Sequence, residues 1–532
     1  MPRRHTILAF SLACLAASGL ASAVSAAVVP TDFVEEGLSP NLPAGLAMDQ
    51  PRAFDFLPDG RVLIVEQRTA RVRIWTGDPL VATTVIHTVD DVTSAGYERG
   101  LQGIAIDPQW PARPFVYVFH NAPGNLLKLR RFTASGALSD PLSTAITLSS
   151  PLVLLGDIPD ADPNHNSGCL RFGPDGMLYV SLGEDEVVCD AQDSTSMRGA
   201  LLRLRVDQLA AGGGPQVPRA SLDPGDNPLS TADENARLVY AYGFRNPWMF
   251  GIDAQTGIPY LADVGEADEE ELDEVLAGGN YGWPYREGLG TVLERAGCPE
   301  PGGAGNAANG YLDPILAFTR DTQLHSIFTA GVYRAVPGGA ANWAADHRCS
   351  IFWGDYFTGV MSRLVFDEGA GQWVTAPVAP GQPSASAWGT GFKAAVDFHI
   401  GPDGSLYWLQ QFASANFIGV NGSLRRVRWT GPTTDVPLAV TSALRLAASP
   451  NPASGAMRFA MTLPRAGHVS LAIYDLTGRR VATLVKGERA AGSHRVVWDG
   501  IASDGRAAAA GVYLARLVQG SEVKSLRVLR LR

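Results

Sequence analysis

A short phrase recurs along the chain and constrains its fold more than any other feature. An apolar residue, a Pro-Asp-Gly turn and an alternating segment follow one another in FLPDGRVLIVEQ from Phe56, FGPDGMLYVSLGE from Phe172 and IGPDGSLYWLQQ from Ile400. Pro presets φ, Asp caps the turn and Gly takes a positive φ, so each copy predicts a β-hairpin. Weaker copies begin at Ile106 and Ile252.

The repeated hairpin predicts an all-β fold. One hairpin cannot bury its apolar face, whereas several packed radially can, and that arrangement is a β-propeller. An array of β-sandwiches is the competing architecture. Long helical periodicity is nearly absent, which counts against an α/β enzyme fold. A chain of 532 residues is too long for one ordinary core, so we expect at least two domains.

The spacing of alternating segments along the sequence changes near residue 442. Residues 433–441 read as a linker, and residues 442–532 contain short alternating segments at close spacing, as in a small β-sandwich. This region carries 14 Lys or Arg against 5 Asp or Glu, although the whole chain has a net charge of −10. The body is therefore strongly acidic, which disfavours nucleic acid as a partner and is compatible with calcium.

Residues 1–27 read as a secretory signal peptide. Arg3 and Arg4 precede an apolar stretch from Ile7, and small residues near 23–26 offer a cleavage site. A membrane anchor is the alternative, but the apolar run is short and rich in small residues. No later segment is long and apolar enough to span a bilayer. We therefore expect a secreted protein, whether periplasmic, cell-surface or extracellular.

Four cysteines remain after the signal peptide. An even number in an exported chain suggests two disulfides. Proximity in the sequence favours Cys169 with Cys189 and Cys298 with Cys349, although four cysteines allow three pairings.

Four groups of polar residues lie near predicted strand ends and could carry chemistry. Each has an ordinary interpretation: His165 as a loop residue, Arg245 as a structural arginine, and the acidic run in 263–275 as a solvated face rather than a calcium site. Packing is favoured over substrate stacking for Tyr281 and Trp283. The groups are ERGLQG (98–103), Asn164-His165 with Gly183-Glu184, YGFRNPW with Arg245 and Asn246, and DVGEADEEELDEV (263–275) followed by GGNYGWP (278–284).

In their order along the chain, these strings resemble the glucose/sorbosone dehydrogenase family, which includes soluble quinoprotein sugar dehydrogenases. The likeness spans most of residues 40–430 and implies a six-bladed β-propeller over residues 28–432. The C-terminal region resembles the immunoglobulin-like modules of flagellar hook-assembly proteins and type IX secretion sorting domains. SPNP (449–452), YDLTGRRV (474–481), WDG (498–500) and GVY (511–513) carry that likeness. It implies a sorting, anchoring or spacer role, with contact to the cell surface or secretion machinery.

The family resemblance implies a site for pyrroloquinoline quinone (PQQ) beside calcium. His165 matches the general base, which takes the proton of a sugar hydroxyl while hydride passes to the quinone. Glu184 matches its acidic partner, an aspartate in the family, and Arg245 matches the arginine at the reactive carbonyls. The remaining cofactor contacts would come from Glu98, Asn164 and Asn246.

The resemblance also implies the metal ligands. Main-chain carbonyls at Gly265 and Glu266 match the family's calcium ligands, and carbonyl ligation tolerates side-chain differences. Glu271 and Tyr281 match a second calcium region of some members.

The chain departs from the family at several cofactor positions. Glu98 stands where the family has a glutamine, and the positions of a lysine and two arginines fall on Phe357, Ala394 and Val396. Losing such charge-assisted hydrogen bonds weakens binding of an anionic cofactor. Lys393 and Arg363 are nearby in sequence and are possible substitutes.

Two functions therefore follow from the sequence. The first is oxidation of an aldose or related polyol with PQQ and calcium. The second is a non-catalytic propeller that has lost the quinone and binds glycan or protein, as relatives of the hedgehog-interacting type do. A hydrolase would need paired carboxylates or a nucleophile, for which there is no sequence signature.

Overall fold

The computed structural model describes residues 27–38, 48–78, 82–229, 231–289, 291–293, 297–303, 309–412, 422–431, 444–449, 451–453, 455–489, 492–520 and 522–531. The linker expected at 433–441 lies outside these residues, as does the signal peptide expected at 1–27 except for Ala27. Within the described part of the chain, no helix is long and apolar enough to cross a bilayer.

The part of the chain before the expected linker, called the body below, is built from four-stranded antiparallel sheets. Strand β1 (Phe33–Gly37) comes first in the sequence and belongs to the sixth of these sheets. The first sheet contains β2 (Pro51–Phe56), β3 (Val62–Glu66), β4 (Arg71–Trp75) and β5 (Thr84–Thr88). The second contains β6 (Leu101–Ile106), β7 (Phe115–Ala122), β8 (Leu126–Gly136) and β9 (Ile146–Pro159). The third contains β10 (Leu170–Phe172), β11 (Leu178–Leu182), β12 (Ala200–Leu204) and β13 (Val239–Tyr242).

Three further sheets complete the body. The fourth contains β14 (Pro247–Ile252), β15 (Pro259–Asp263), β16 (Glu269–Glu274) and β19 (Leu316–Thr319). Between β16 and β19 in the sequence, β17 (Arg286–Glu287) and β18 (Thr291–Val292) form a separate two-stranded sheet. The fifth contains β20 (Ile327–Val332), β21 (Ile351–Asp355), β22 (Met361–Asp367) and β23 (Gln372–Thr375). The sixth contains β24 (Ala395–Ile400), β25 (Leu406–Gln410), β26 (Ser423–Trp429) and β1.

The sheets close into a ring through their first strands. β2, β6, β10, β14, β20 and β24 each pack against the next, and β24 returns to β2. The sixth sheet joins both ends of the body, because β1 pairs with β26 in a register that places Phe33 opposite Trp429. The apolar faces of neighbouring sheets are thereby buried against each other, which removes the exposed faces that single hairpins would leave.

The Pro-Asp-Gly turns lie where the sequence predicts them, between the first and second strands of three sheets. Gly60, Gly176 and Gly404 have φ of 93°, 77° and 85°, which favours glycine at the turn. The aspartates of these turns are structural, as Asp403 illustrates by accepting the Ser405 N–H at 3.0 Å. The all-β prediction is confirmed, since the described helices are short 3₁₀ turns at Val188–Gln192, Arg219–Ser221, Ala236–Leu238 and Ala345–His347.

The C-terminal region forms two antiparallel sheets around their own core. Its strands are β27 (Arg445–Ser449), β28 (Met457–Leu463), β29 (Gly467–Asp475), β30 (Arg480–Arg489), β31 (Gly492–Trp498), β32 (Gly511–Gln519) and β33 (Glu522–Arg530). One sheet has the order β27-β28-β31 and the other β30-β29-β32-β33. Phe459, Leu471, Trp498 and Leu517 are buried in the shared core.

The disulfide pairing predicted from sequence proximity is wrong. Cys189 bonds Cys298 across 109 residues, with Cα atoms 5.8 Å apart, while Cys169 and Cys349 are free. The fold separates the predicted partners: Cys169 is buried beside β10, where its thiol lies 3.9 Å from the Phe250 carbonyl oxygen. Tertiary packing, rather than spacing along the chain, brings the 3₁₀ turn with Cys189 against the segment with Cys298.

Candidate functional site

The residues that the sequence singles out gather at one end of the ring, where the first strands begin. His165 precedes β10, Arg245 and Asn246 precede β14, and Glu98 precedes β6. Glu184 follows β11 and ties two of these loops together, because its N–H donates to the Arg245 carbonyl at 2.9 Å. The loops that carry His165 and Arg245 therefore lie at one rim of the ring.

His165 is held by Glu184. Its Nδ1 hydrogen bonds Glu184 Oε1, and the imidazole is only 7% exposed. Glu184 is fully buried, and its second oxygen has no hydrogen-bond partner among the described residues. A carboxylate at Nδ1 favours the tautomer with the proton on Nδ1, which leaves the Nε2 lone pair free to accept one. Glu184 therefore makes the hydrogen bond to Nδ1 that the resemblance leads us to expect from an acidic residue at this position.

Local backbone geometry places His165 against the strand that carries Glu184. A Cβ on Gly183 would lie 1.9 Å from the His165 carbonyl oxygen, so this close approach requires glycine. His165 and Ser167 have φ of 56° and 51°, and Asp185 and Glu186 have φ of 60° and 57°. Such left-handed conformations of non-glycine residues cost free energy and concentrate at functional sites.

Glu186 contributes a second carboxylate that sequence reasoning missed. Its Oε1 lies 3.5 Å from His165 Nε2, and 45% of its side chain is exposed. Buried Asp185 fixes this loop by accepting the Asp162 N–H at 2.9 Å and an N–H of Arg198 at 3.0 Å. The only signal in the sequence was the adjacency of Glu186 to the Gly183-Glu184 pair. The free nitrogen of the imidazole therefore faces an acid at the opening.

Hydrogen bonds of its side chain and of its backbone hold Arg245 in place. Its Nη1 donates to the carbonyls of Val264 and Gly265 at 3.0 and 2.9 Å, and Nε has no partner among the residues described. The N–H groups of Arg245 and Asn246 donate to the Asp263 carboxylate at 2.8 and 2.7 Å. Burial raises the pKa of Asp263 to about 7, against the lowering by these N–H groups and by Arg245. Asp263 thus orients the loop that presents the guanidinium.

Glu98 lies between the loops of His165 and Arg245. Its carboxylate accepts the Asn166 N–H at 3.1 Å and the Asn246 side-chain N–H at 3.3 Å. Burial raises the pKa of Glu98, although His165 and the Asn166 N–H lower it. Both oxygens of Glu98 are acceptors in these two hydrogen bonds, whereas a glutamine at this position would offer one acceptor and one donor group.

Asn164 is directed elsewhere. Its side-chain nitrogen donates to Asp162 Oδ1 at 2.9 Å within its own loop. Although Asn164 directly precedes His165, its side-chain amide is hydrogen bonded within its own turn.

The loop predicted to supply main-chain calcium ligands is held by groups that the sequence did not indicate. The Gly265 carbonyl accepts N–H groups from Arg245 and Arg320, at 2.9 and 2.8 Å. Buried Glu287 accepts four consecutive N–H groups with one oxygen, from Glu266 at 2.7 Å to Glu269 at 3.2 Å. Calcium binding by the Gly265 carbonyl would require both guanidinium groups to move.

The second half of the acidic run is buried, which excludes the solvated-face interpretation for Glu270–Glu274. Burial and the neighbouring Asp273 raise the pKa of Glu271 well above its usual value, and burial does the same for Asp273. Both Asp273 oxygens lack a hydrogen-bond partner among the described residues. Like charges buried together are neutralised by protons or by a cation, and Arg458 supplies a positive charge near Asp273. Among the described residues, ligand atoms of three acids or histidines lie within 4.8 Å of one another at His165, Glu184 and Glu186, whereas Glu271, Asp273 and Asp263 do not meet this criterion.

Tyr281 packs beside this cluster and is already fully bonded. Its hydroxyl donates to the Glu274 carbonyl at 2.6 Å and accepts the Leu276 N–H at 3.0 Å. Its ring stacks on Phe244 with centroids 4.6 Å apart. These contacts support the packing interpretation of Tyr281.

Comparison with known families adds the decisive observation. The model of the Glucose / Sorbosone dehydrogenase family matches residues 48–327, which include every residue of the site described above. The chain belongs to the glucose/sorbosone dehydrogenase family. A second model, the FlgD Ig-like domain, matches residues 449–522.

Glucose/sorbosone dehydrogenase relatives with curated names match parts of the chain. The HIPL1 protein of Arabidopsis thaliana is 30% identical over 198 residues, 35% of this chain and 28% of the relative. Aldose sugar dehydrogenase YliI of Escherichia coli is 27% identical over 238 residues, 44% of this chain and 59% of the relative. Hedgehog-interacting protein of Homo sapiens is 26% identical over 171 residues, 30% of this chain and 23% of the relative. In each comparison the chain spans less than two thirds of the relative's length.

A solved structure shares the fold of the body. The PQQ-bound form of aldose sugar dehydrogenase from Streptomyces coelicolor has a TM-score of 0.52 and 21% identity, and covers 75% of this chain and 99% of its own. At this identity the likeness concerns the fold alone.

Proposed function

We propose that this protein is an exported quinoprotein-type oxidoreductase that oxidises an aldose or related polyol, with PQQ as its cofactor and with bound calcium. The observation that carries the proposal is the arrangement of His165, whose Nδ1 is fixed by buried Glu184 while Nε2 faces the opening. The family membership and the likeness to aldose sugar dehydrogenase YliI of Escherichia coli support it.

The residues at the rim fit the reactive end of a quinone. Arg245 has an unpartnered Nε, and Asn246 and Glu98 add neutral or neutralisable hydrogen-bonding groups beside it. At the other end, Phe357, Ala394 and Val396 are uncharged, and Arg363 donates to the carbonyls of Asp346 and Pro377 at 2.7 and 2.9 Å. Arg363 is therefore committed to another part of the body.

The chemistry that this chain performs follows from His165 and Arg245. When bound, PQQ supplies the hydride acceptor. His165 Nε2 takes the hydroxyl proton of the sugar as its carbon is oxidised, and Glu184 stabilises the resulting imidazolium. Arg245 places a fixed positive charge where negative charge develops, in a setting that needs no reorganisation. Glu186 provides an exposed carboxylate through which the proton leaves His165 Nε2 for water.

One proposed location for calcium is beside the buried acids Glu271 and Asp273 of the fourth sheet. Glu271 and Asp273 repel each other electrostatically, and a divalent cation would remove that repulsion along with the need to protonate them. The carbonyls of Gly265 and Glu266 remain a predicted second location.

We also propose that the six sheets are the six blades of a propeller and that residues 442–532 form an immunoglobulin-like sandwich. The closed ring of first strands supports the first proposal, and two sheets around one core support the second. The FlgD Ig-like match supports a sorting or anchoring role for this domain at the cell surface.

Reconstitution tests the proposed function. Purified protein is incubated with PQQ and calcium, and dye reduction is followed with a panel of aldoses. We expect activity that Arg245→Gln lowers strongly, since the neutral side chain keeps hydrogen bonds and loses the charge. An exposed arginine of the same body, replaced as Arg68→Gln, serves as the control. The absence of PQQ binding at millimolar calcium would contradict the enzyme and favour the alternative.

That alternative is a propeller that binds glycan or protein without the quinone. Uncharged residues at 357, 394 and 396 favour it, as does the likeness to Hedgehog-interacting protein. A glycan array with the calcium-loaded protein tests it directly.

A further inference from the structure

Arg52 occupies the centre of the ring, one layer below the rim. It is the second residue of β2, and its guanidinium contacts three other first strands. Nε donates to Gln102 Oε1 at 3.1 Å, Nη1 to the Val396 carbonyl at 3.3 Å, and Cζ lies 3.8 Å from the centroid of the Trp248 ring. Gln102, Trp248 and Val396 belong to β6, β14 and β24.

The charge of Arg52 is not balanced by a direct ion pair. The residue is 2% exposed, and no carboxylate of the described residues lies within ion-pair distance of its guanidinium. Nη2 has no hydrogen-bond partner among those residues. Arginine cannot shed its proton in a protein, and a buried charge without a counterion is costly. Such a group is a receptor for an anion.

Nearby acids are engaged by other groups. Asp397 pairs with Arg171 and accepts the Phe54 N–H at 2.8 Å. Glu98 is bonded to Asn166 and Asn246, as described above. Of two other fully buried arginines, Arg61 pairs with Asp59. Arg131 resembles Arg52 in having no ion pair and unpartnered nitrogens among the described residues, Nε and Nη1, but it lies on β8 and its Nη2 donates to the carbonyls of Ala210 and Gly212.

Arg52 is linked to the rim. Gln102, its partner, donates to Asn121 Oδ1 at 3.2 Å, and Asn121 donates to Asn166 Oδ1 at 3.1 Å. Asn166 is the residue after His165. Glu98 and Tyr356 are the charged and phenolic neighbours of Arg52 in this region, and both are only half-buried. Hydrogen bonds therefore connect Arg52 to the residue that follows His165.

We propose that Arg52 binds a carboxylate of the quinone cofactor at the floor of the site. This inference rests on the proposed function, since PQQ is a tricarboxylate and the rim itself is rich in acids. The unpartnered Nη2 supplies a charge-assisted hydrogen bond, and the stacking on Trp248 holds the guanidinium plane in place. Arg52 supplies a cation that residues 357, 394 and 396 lack.

Binding of PQQ, measured by calorimetry with calcium and without sugar, tests the assignment. Arg52→Gln is expected to raise Kd about 10- to 100-fold, the loss of one hydrogen bond to a charged group. Arg52→Lys restores part of the affinity because it keeps the charge and loses the planar fork. Arg131→Gln removes an equally buried arginine far from the rim, and its Kd is expected to stay unchanged.

The trimethyl ester of PQQ provides a second measurement, the first part of which uses the wild-type protein alone. The wild-type protein is expected to prefer the acid over the ester, and this preference should shrink in Arg52→Gln by the factor lost in Kd. Equal binding of acid and ester by the wild type would overturn the assignment, as would an unchanged Kd in Arg52→Gln. Failure of the wild type to bind PQQ at all would overturn the proposed function together with it.

Discussion

The body and the C-terminal domain are built from the same kind of short antiparallel strand, yet the candidate site found among the described residues lies in the body. In the body, the first strands of the sheets form a ring, and the loops before them carry His165, Arg245 and Glu98 to one rim. In the C-terminal domain, two sheets pack around Phe459, Leu471, Trp498 and Leu517. The comparison teaches that a chemical site arises from ring closure, which aligns many strand starts, and not from strand composition.

Among the variants that test this comparison, the one that removes the His165 imidazole has the largest expected effect. His165→Ala is expected to lower kcat for aldose oxidation by about 10²–10⁴-fold, the usual contribution of a general base. Dye reduction by the PQQ-loaded protein measures it. His87→Ala, in the outer strand β5 of the first sheet, should leave kcat unchanged. Equal activity of the two variants would show that the rim histidine is not the base.

A buried tryptophan in each region provides the next test. Trp498 is 2% exposed, its indole donates to the Ile501 carbonyl at 2.9 Å, and its ring meets Tyr513 edge-on. Trp498→Ala should lower the free energy of unfolding of the C-terminal domain by about 3–5 kcal/mol. Hydrogen exchange of residues 444–531 measures it, while kcat stays unchanged.

The matched variant Trp408→Ala removes a fully buried tryptophan of β25 in the body. It should destabilise the body by a similar amount and impair PQQ binding. Loss of activity in Trp498→Ala, with the body still folded, would show that the site depends on the C-terminal domain, whose Arg458 donates to the Asp313 carbonyl of the body at 2.6 Å.

Calcium should distinguish the body from the C-terminal domain as well. At a calcium concentration 100 times its Kd, binding to the acids around Asp273 should stabilise the body by about 2.7 kcal/mol. Calorimetric melting with calcium and with a chelator measures the shift. Asp273→Asn should abolish it, whereas Glu234→Gln, at an exposed acid, should not. A shift confined to the C-terminal transition would count against the site.

The smallest expected difference between the two regions concerns their stability at acid pH. Burial raises the pKa of Asp397, but Arg171 and the neighbouring His399 outweigh it and bring the pKa to about 2. Because the pKa is lowered, Asp397 stabilises the fold at pH above about 4, and this contribution of about 2 kcal/mol fades as pH falls toward 2. The difference in unfolding free energy between wild type and Asp397→Asn should shrink over that range.

A surface aspartate of the C-terminal domain offers the control. Hydrogen bonds from Thr477 and Arg479 also lower the pKa of Asp475 to about 2. Since water screens this site, Asp475→Asn should change acid stability less than Asp397→Asn does. An equal effect would remove the distinction between a buried and a surface carboxylate.

Much of the fold and part of the site could be predicted from residues that act locally. The Pro-Asp-Gly turns and the all-β class follow from backbone preferences within a few residues, and the family resemblance indicated His165, Glu184 and Arg245. The sequence left open whether the acidic run after Asp263 is solvated, because burial of Glu270–Glu274 depends on the packing of β16 inside the fourth sheet. Cysteine pairing failed for the same reason, since spacing along the chain says little about distance in a closed ring.

The sequence by itself determined the hairpins and the change in residue pattern after residue 441. The alternation of buried and exposed residues predicted after the Pro-Asp-Gly turns is wrong, because β3, β11 and β25 are buried along their whole length between neighbouring sheets. Only the tertiary structure decided that Glu186 faces His165 Nε2 and that Arg52 meets the Val396 carbonyl, 344 residues away. The physical reason is the distance along the sequence over which each interaction acts. A turn depends on the φ of its own glycine, whereas these contacts exist because six sheets pack around one axis and β1 pairs with β26 to close the ring.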